Sequence, residues 1–189
     1  MAGFGPGLFL LPKHRARLHL RILVRRGLSI LGTVLFLLVA PGTVVVLVPW
    51  WISHWLIHPP FFGLKVFQVI GAFLIVAGAP AVLDSFARFA WKGLGTPAPI
   101  FPTQHLVVSG FYRYVRNPMY VGLVWVIVGQ GLLFANVHLF YYVGAVWLAT
   151  HIFILTYEEP TLRRTYGEEY KRFCSHVPRW IPRLTPWKD

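Results

Sequence analysis

Cysteine and acidic side chains are what this chain has least of. A single cysteine, Cys174, excludes an internal disulfide and any cysteine-based metal cluster. Asp and Glu together number 6 against 18 Lys and Arg, and charged residues make up only 13%, where ordinary soluble domains have about 25%. A chain so poor in charge is not a disordered one, which needs low hydrophobicity and high net charge. Nucleic acid is the usual partner of a formal charge of +12, but a soluble binder would not carry an apolar content of 56%. Scarce charge, three-quarters of it positive, on a very apolar chain describes an integral membrane protein with cationic flanks.

The apolar residues are grouped. A hydrocarbon core about 30 Å thick needs about 20 mostly apolar residues per helix. Four stretches are read as spans: Gly27 to Trp50, Leu64 to Leu83, Met119 to Ala135 and Leu139 to Tyr157. Only Asn136-Val137-His138 separates the last two, which predicts a tight helical hairpin. Pro41, Pro49 and Pro80 are tolerable in membrane helices as kinks or ends. Gly71 with Gly78, and Gly122 with Gly129, are spaced to let helices approach closely. The long basic arm and the long first apolar run favour a retained anchor over a cleaved signal peptide, whose apolar region is about 7–15 residues.

Basic residues set the expected orientation, because loops rich in Lys and Arg stay in the cytoplasm. The arm before the first span, the loop between spans two and three, and the tail hold 17 of the 18, leaving only Lys65 near the other face. Both termini are therefore expected in the cytoplasm. Trp50, Trp51 and Trp55 suit an interfacial belt on the opposite face. The positive charge is thus read as topology and attraction to anionic lipid, not as a nucleic-acid footprint. The expected organisation is a basic arm over residues 1–26, two spans over 27–92, and a motif-rich region over 93–189.

After Tyr157 the pattern changes. Leu162, Tyr166, Tyr170 and Phe173 form one stripe of a helix, while Arg163, Arg164, Glu168, Lys171 and Arg172 cover its other side. Pro160 fits a first helical turn, and Val177-Pro178 ends the pattern. An amphipathic helix lying on the membrane surface or capping the bundle is expected. The fold class is thus all-α and membrane-integral, with about four spans and this C-terminal helix.

Polar chemistry collects at one rim. Glu158 and Glu159 sit where the fourth span leaves the membrane, within a field of arginines. They read either as acids welcomed by a helix N-terminus or as a carboxylate pair for cationic or hydroxyl groups of a ligand. Pro118 fits a helix start, so Asn117 falls at or near an N-cap whose free N–H groups attract anions. Arg116 adds a fork for a carboxylate or phosphate, or is simply one more cation of a cytoplasmic loop. His54 and His58 are four apart, but no acid or cysteine nearby completes a metal site. Gly93-Leu94-Gly95 lacks the strand and third glycine of a dinucleotide loop. Ser109 lacks the context of a nucleophilic serine, and Cys174 reads as packing.

The segments Gly95-Thr96-Pro97-Ala98-Pro99, Leu106-Val107-Val108-Ser109-Gly110-Phe111-Tyr112 and Arg116-Asn117-Pro118-Met119-Tyr120-Val121-Gly122 resemble the isoprenylcysteine carboxyl methyltransferase family, which is grouped with the phospholipid methyltransferases. So do Tyr157-Glu158-Glu159-Pro160-Thr161-Leu162, Tyr166-Gly167-Glu168-Glu169-Tyr170 and Val177-Pro178-Arg179-Trp180-Ile181-Pro182. The motifs cover roughly Gly93 to Arg183, in order, and the first two spans carry none. The resemblance implies transfer of a methyl group from S-adenosylmethionine to a lipophilic acceptor, with the donor reaching a pocket of the last hairpin and C-terminal helix from the cytosol. It implies a donor pocket of Leu106, Val107, Gly110, Tyr112, Arg116, Asn117, Pro118, Tyr120, Glu158 and Glu159, with Arg116 and Glu158 closest to the chemistry and no metal.

Two departures bear on the acceptor. Asn117 stands where eukaryotic members have His, whereas phospholipid-methylating and many bacterial relatives have Asn as here; a bacterial plasma membrane is the expected location. Ile154-Leu155-Thr156 stands where an Arg is expected before the acidic pair, which weighs against a carboxylate acceptor. A lipid amine or an isoprenoid-like molecule is the expected acceptor, ahead of a prenylcysteine. The alternative is a non-catalytic membrane carrier or assembly protein reusing the fold; a carrier would place polar groups at the bilayer midplane, where Gln130 is nearly alone.

Overall fold

The computed structural model describes residues 31–32, 34–92, 106 and 108–188. The basic arm, the Gly95–Pro99 motif and Val107 lie outside the described residues. Helices account for the architecture: α1 (Val34–Ser53), α2 (Val66–Lys92), α3 (Pro118–Leu133), α4 (His138–Phe153) and α5 (Glu159–His176). No strand occurs among the described residues. Three helices are long and apolar enough to cross a membrane, and α3 is a shorter apolar helix of 16 residues beside them. This is the expected all-α membrane fold.

Proline shapes α1. At Thr43–Leu47 the helix widens to a π turn, and the Val48 N–H bonds the Thr43 carbonyl instead of that of Val44. Pro49 has no N–H to give Val45, four residues back. Both carbonyls find donors on other helices: Gln130 Nε2 reaches Val45 O at 2.7 Å and the Tyr142 hydroxyl reaches Val44 O at 2.9 Å. In hydrocarbon a backbone carbonyl has no water to turn to, so these two side chains make the kink tolerable.

The principal interface is between α2 and α3, and glycine permits it. A Cβ on Gly71 would stand 2.6 Å from the Gly129 carbonyl oxygen, and one on Gly78 would stand 2.8 Å from that of Gly122. The converse contacts are both 2.7 Å. Two glycine pairs, two turns apart, thus bring the backbones together as their spacing predicts.

α2 runs to Lys92, well past the expected end at Leu83. Asp84 and Arg88 are one turn apart and pair with each other, so neither charge interrupts the helix. α3 and α4 form the expected hairpin, in which Ala135 takes a positive φ of 50° and Asn136 Oδ1 accepts the His138 N–H at 3.0 Å.

The join between α4 and α5 differs from expectation. No loop separates them; a π turn at Ile154–Glu158 carries one rod straight through, with Pro160 in its second half. Proline is accommodated because the wider turn already leaves its i−4 carbonyl without an α-type partner. The unbroken run from His138 up to Gly167, where the backbone leaves helical geometry, is about 44 Å long at 1.5 Å per residue, longer than a hydrocarbon core. Its apolar part ends at Tyr157, and the charged remainder stands outside. Gly167, at φ 52° and ψ −120°, breaks the helix. Beyond it Tyr170, Phe173 and Val177 are buried against Leu106, Val108, Leu162, Tyr166 and Trp187. The predicted stripe therefore caps the bundle, packing on the chain's own loops.

Candidate functional site

The start of α3 is enclosed by protein: Asn117 and Pro118 are buried, with α2 on one side and the α4–α5 rod running past them. The C-terminal segment closes the remaining side by lacing onto residues 113–117. Arg116 N–H donates to Pro178 O, Arg183 N–H to Tyr114 O and Trp187 N–H to Arg113 O, each at 2.9 Å. Asn117 does not cap α3 with its side chain; its Nδ2 donates to Arg179 O at 3.2 Å. The N-cap position is as predicted, and its side chain serves as a strut to the tail.

Glu159 is the centre of a charge cluster. Its carboxylate, 7% exposed, accepts from Arg116 Nη1 at 3.0 Å and from Arg179 Nε and Nη2 at 2.7 and 3.0 Å, and Arg163 lies 3.9 Å away. Burial alone would raise this carboxyl. The Arg179 hydrogen bond and the charges of Arg116, Arg179 and Arg163 outweigh burial and hold it below the usual range. Arg116 Nη1 also contacts Cys174 Sγ at 3.1 Å, while Arg116 Nε is buried without a partner in the structure.

Glu158 has the opposite surroundings. It faces the interior beside α3 and accepts one hydrogen bond, from the Tyr120 hydroxyl at 3.2 Å. Burial pushes its carboxyl up to about 7; the Tyr120 hydrogen bond opposes the rise, and the Glu159 charge adds to it. Adjacent carboxylates with separated proton affinities are a recurring arrangement for acid–base work: one stays charged, the other exchanges protons near neutrality.

Arg116, Asn117, Tyr120, Glu158 and Glu159 thus converge within one corner, as does the buried ring of Pro118. Tyr112, on the Gly110–Arg113 turn, hydrogen-bonds Ser85 of α2 and lies within electrostatic reach of Glu158. Leu106 packs instead in the apolar cap under α5. Gly110 has a positive φ of 57°, and a Cβ there would collide with the Arg88 guanidinium. His54, at the other end of the bundle, meets Trp50 edge to face. Among the described residues no group of three metal-ligating side chains occurs. Sequence reasoning missed Arg179, reading it only as a tail cation. Its place in Val177-Pro178-Arg179-Trp180-Ile181-Pro182 was the available signal. Ser85, Asp84 and Arg88 carried none.

Apolar space adjoins the corner. A crevice of about 270 Å³ lies between α2 and the start of α3, lined by Ala77, Ala81, Phe111, Val121, Trp125 and Pro182 among others. A larger groove of about 490 Å³ separates α1 from α2 and α3.

Fold and site together define a helical membrane protein with a titratable, arginine-rich corner at its basic rim. The profile of the phospholipid methyltransferase family matches residues 66–169, more than half of the chain, and the protein belongs to that family. A Protein-S-isoprenylcysteine O-methyltransferase of Schizosaccharomyces pombe is 38% identical over 80 residues. That match covers 41% of this chain and 33% of the yeast protein, so the chain corresponds to about a third of the relative's length. No solved structure gives a significant match.

Proposed function

We propose that this protein is a membrane methyltransferase that uses S-adenosylmethionine to methylate a small lipophilic acceptor at the cytoplasmic rim of the bilayer. The observation that carries the reading is the pairing of Glu158, half-buried and titrating near neutrality, with the Arg116–Glu159–Arg179 cluster one residue away. Family membership and the yeast relative's name supply the reaction class.

The residues present fit the donor. S-adenosylmethionine carries a carboxylate, an ammonium group and ribose hydroxyls, and when bound it supplies an electrophilic methyl on a sulfonium. Arg116 Nε, buried and unpartnered, offers an N–H for the carboxylate, and Glu158 with Glu159 offers oxygens for ammonium or hydroxyls. Asn117 and Pro118 set the start of α3 beside them. Of the other residues that the resemblance implies, Gly110 and Tyr112 lie on the turn against α2, Leu106 packs in the apolar cap under α5, and Val107 lies outside the described residues.

Glu158 is the group able to take a proton. An amine or hydroxyl acceptor loses one as it gains the methyl, and a carboxyl with a proton affinity near 7 accepts it at working pH. Tyr120 holds the carboxylate in place by its hydrogen bond. Most of the rate enhancement comes from holding donor and acceptor in line away from water, a contribution of about 7–11 kcal/mol in favourable cases. The apolar crevice and the membrane-facing helices favour an acceptor delivered from the lipid phase. Ile154-Leu155-Thr156 supplies no cation for an acceptor carboxylate, so a lipid amine or isoprenoid-like acceptor is preferred. The yeast relative's name supports the second candidate, a prenylcysteine carboxylate.

Purified protein in liposomes, given methyl-labelled S-adenosylmethionine, total lipid and a prenylcysteine analogue, tests the proposal. Label is expected in the lipid fraction. Esterification of the analogue with no labelled lipid reverses the acceptor preference, and no label in either rejects the activity.

A further inference from the structure

The basic end of α2 holds a polar group that donor binding and proton transfer do not use. Arg88 grips Asp84 with two parallel bonds, Nε to Oδ2 at 2.7 Å and Nη2 to Oδ1 at 2.8 Å. Its third nitrogen, Nη1, donates to Ser109 Oγ at 3.0 Å, across 21 residues of sequence. The guanidinium lies flat against Gly110, in the space a Cβ would fill, and Gly110 has the positive φ that glycine best adopts. Two residues on, Tyr112 hydrogen-bonds Ser85, the next residue of α2 after Asp84. Ser85 is fully buried and its own proton is committed to Ala81 O at 2.7 Å. The Tyr112 hydroxyl meets this buried serine of α2. That hydroxyl feels the charges of Glu158, Asp84 and Arg88 together.

We propose that Asp84 and Arg88 form a clasp that holds the Ser109–Arg113 turn on α2 and so positions Tyr112 of that turn, making Arg88 a positioning residue for methyl transfer. This rests on the function proposed above. An i,i+4 ion pair on a half-exposed helix face contributes little to stability, so the pair's role lies in what its free nitrogen reaches. Only a planar guanidinium can serve a carboxylate through two nitrogens and a hydroxyl through the third; an ammonium cannot. Glycine at 110 is required because the flat face of that fork occupies its side-chain position. The clasp acts at a distance, through Ser109, Gly110 and Tyr112, and touches neither reactant itself.

A double-mutant cycle on the full chain in liposomes tests it. Arg88→Gln and Tyr112→Phe are each expected to lower kcat by about tenfold, and the double variant to be no slower than the slower single, because both remove one function. Arg88→Lys, which keeps the charge, should not restore the rate. Gly110→Ala should mimic Arg88→Gln. Multiplicative losses in the double variant, or full rescue by lysine, would overturn the proposal. Hydrogen exchange provides a readout that needs no activity: Arg88→Gln should raise exchange across residues 109–115 and leave the α3 interior unchanged. If wild-type protein methylates nothing, the functional reading fails on its own, and unchanged exchange in Arg88→Gln then rejects the clasp separately.

Discussion

Glu158 and Glu159 are sequence neighbours with opposite electrostatic fates. One helical step turns Glu159 into three arginines and Glu158 toward Tyr120 and the bundle interior. The folded Glu158 carboxyl binds its proton more tightly than an unfolded one, so its contribution to stability is complete below the unfolded value and lost as pH rises through about 7. Glu158→Gln should therefore be at least as stable as wild type above that pH, measured by thermal unfolding in detergent, while losing most of its turnover. In wild type the rate should rise as pH passes through about 7, as Glu158 becomes the free base, and a profile flat from pH 5 to 9 would remove Glu158 from that role. Glu159→Gln removes the carboxylate that the largely buried Arg116 shares with the partly exposed Arg179 and the exposed Arg163, and breaking a buried pair such as Arg116–Glu159 costs about 3–5 kcal/mol. A clear drop in unfolding temperature is the expected result. Residue identity made the acidic pair visible in the sequence. It did not tell which acid would be neutralised by arginine, because that depends on Arg179 arriving from the tail.

At the scale of elements, glycine spacing was the most faithful signal. Gly71, Gly78, Gly122 and Gly129 were legible because close helix approach needs small residues at fixed intervals, and the structure pairs them across α2 and α3. Gly122→Ala pushes a methyl against the Gly78 carbonyl oxygen and should destabilise by about 1–3 kcal/mol, read as a lowered unfolding temperature with the helical content unchanged. Gln130→Leu leaves the Val45 carbonyl without the donor that the Pro49 kink requires, a cost of about 1–3 kcal/mol for a buried unsatisfied group. The sequence showed Gln130 only as an isolated polar residue in an apolar helix. Its partner is a carbonyl set free by a proline on another helix, and no local pattern encodes that pairing. The same limit explains the missed continuity of α4 and α5: a proline after an apolar run reads as a helix start, whereas the π turn before it absorbs the break.

At the scale of the whole molecule, charge asymmetry and hydropathy were enough for the bundle, and the motif order was enough for the family. The geometry of the corner was not legible, since its ligands come from α3, from the α4–α5 rod and from the extended tail. Reporter fusions after Lys13, Pro59, Thr96 and Lys188 should read cytoplasmic, external, cytoplasmic and cytoplasmic, following the basic residues. An external reading at Thr96 would put the corner on the wrong side for a cytosolic donor. The central claim is that this corner binds S-adenosylmethionine, and calorimetric titration of the donor into purified full-length protein, wild type and Arg116→Ala, tests it most directly. The account predicts measurable heat for wild type without added metal, and affinity about 10- to 150-fold weaker for Arg116→Ala, the loss of one charge-assisted hydrogen bond. Absence of heat in wild type at millimolar donor, or equal affinity in the two proteins, would contradict it.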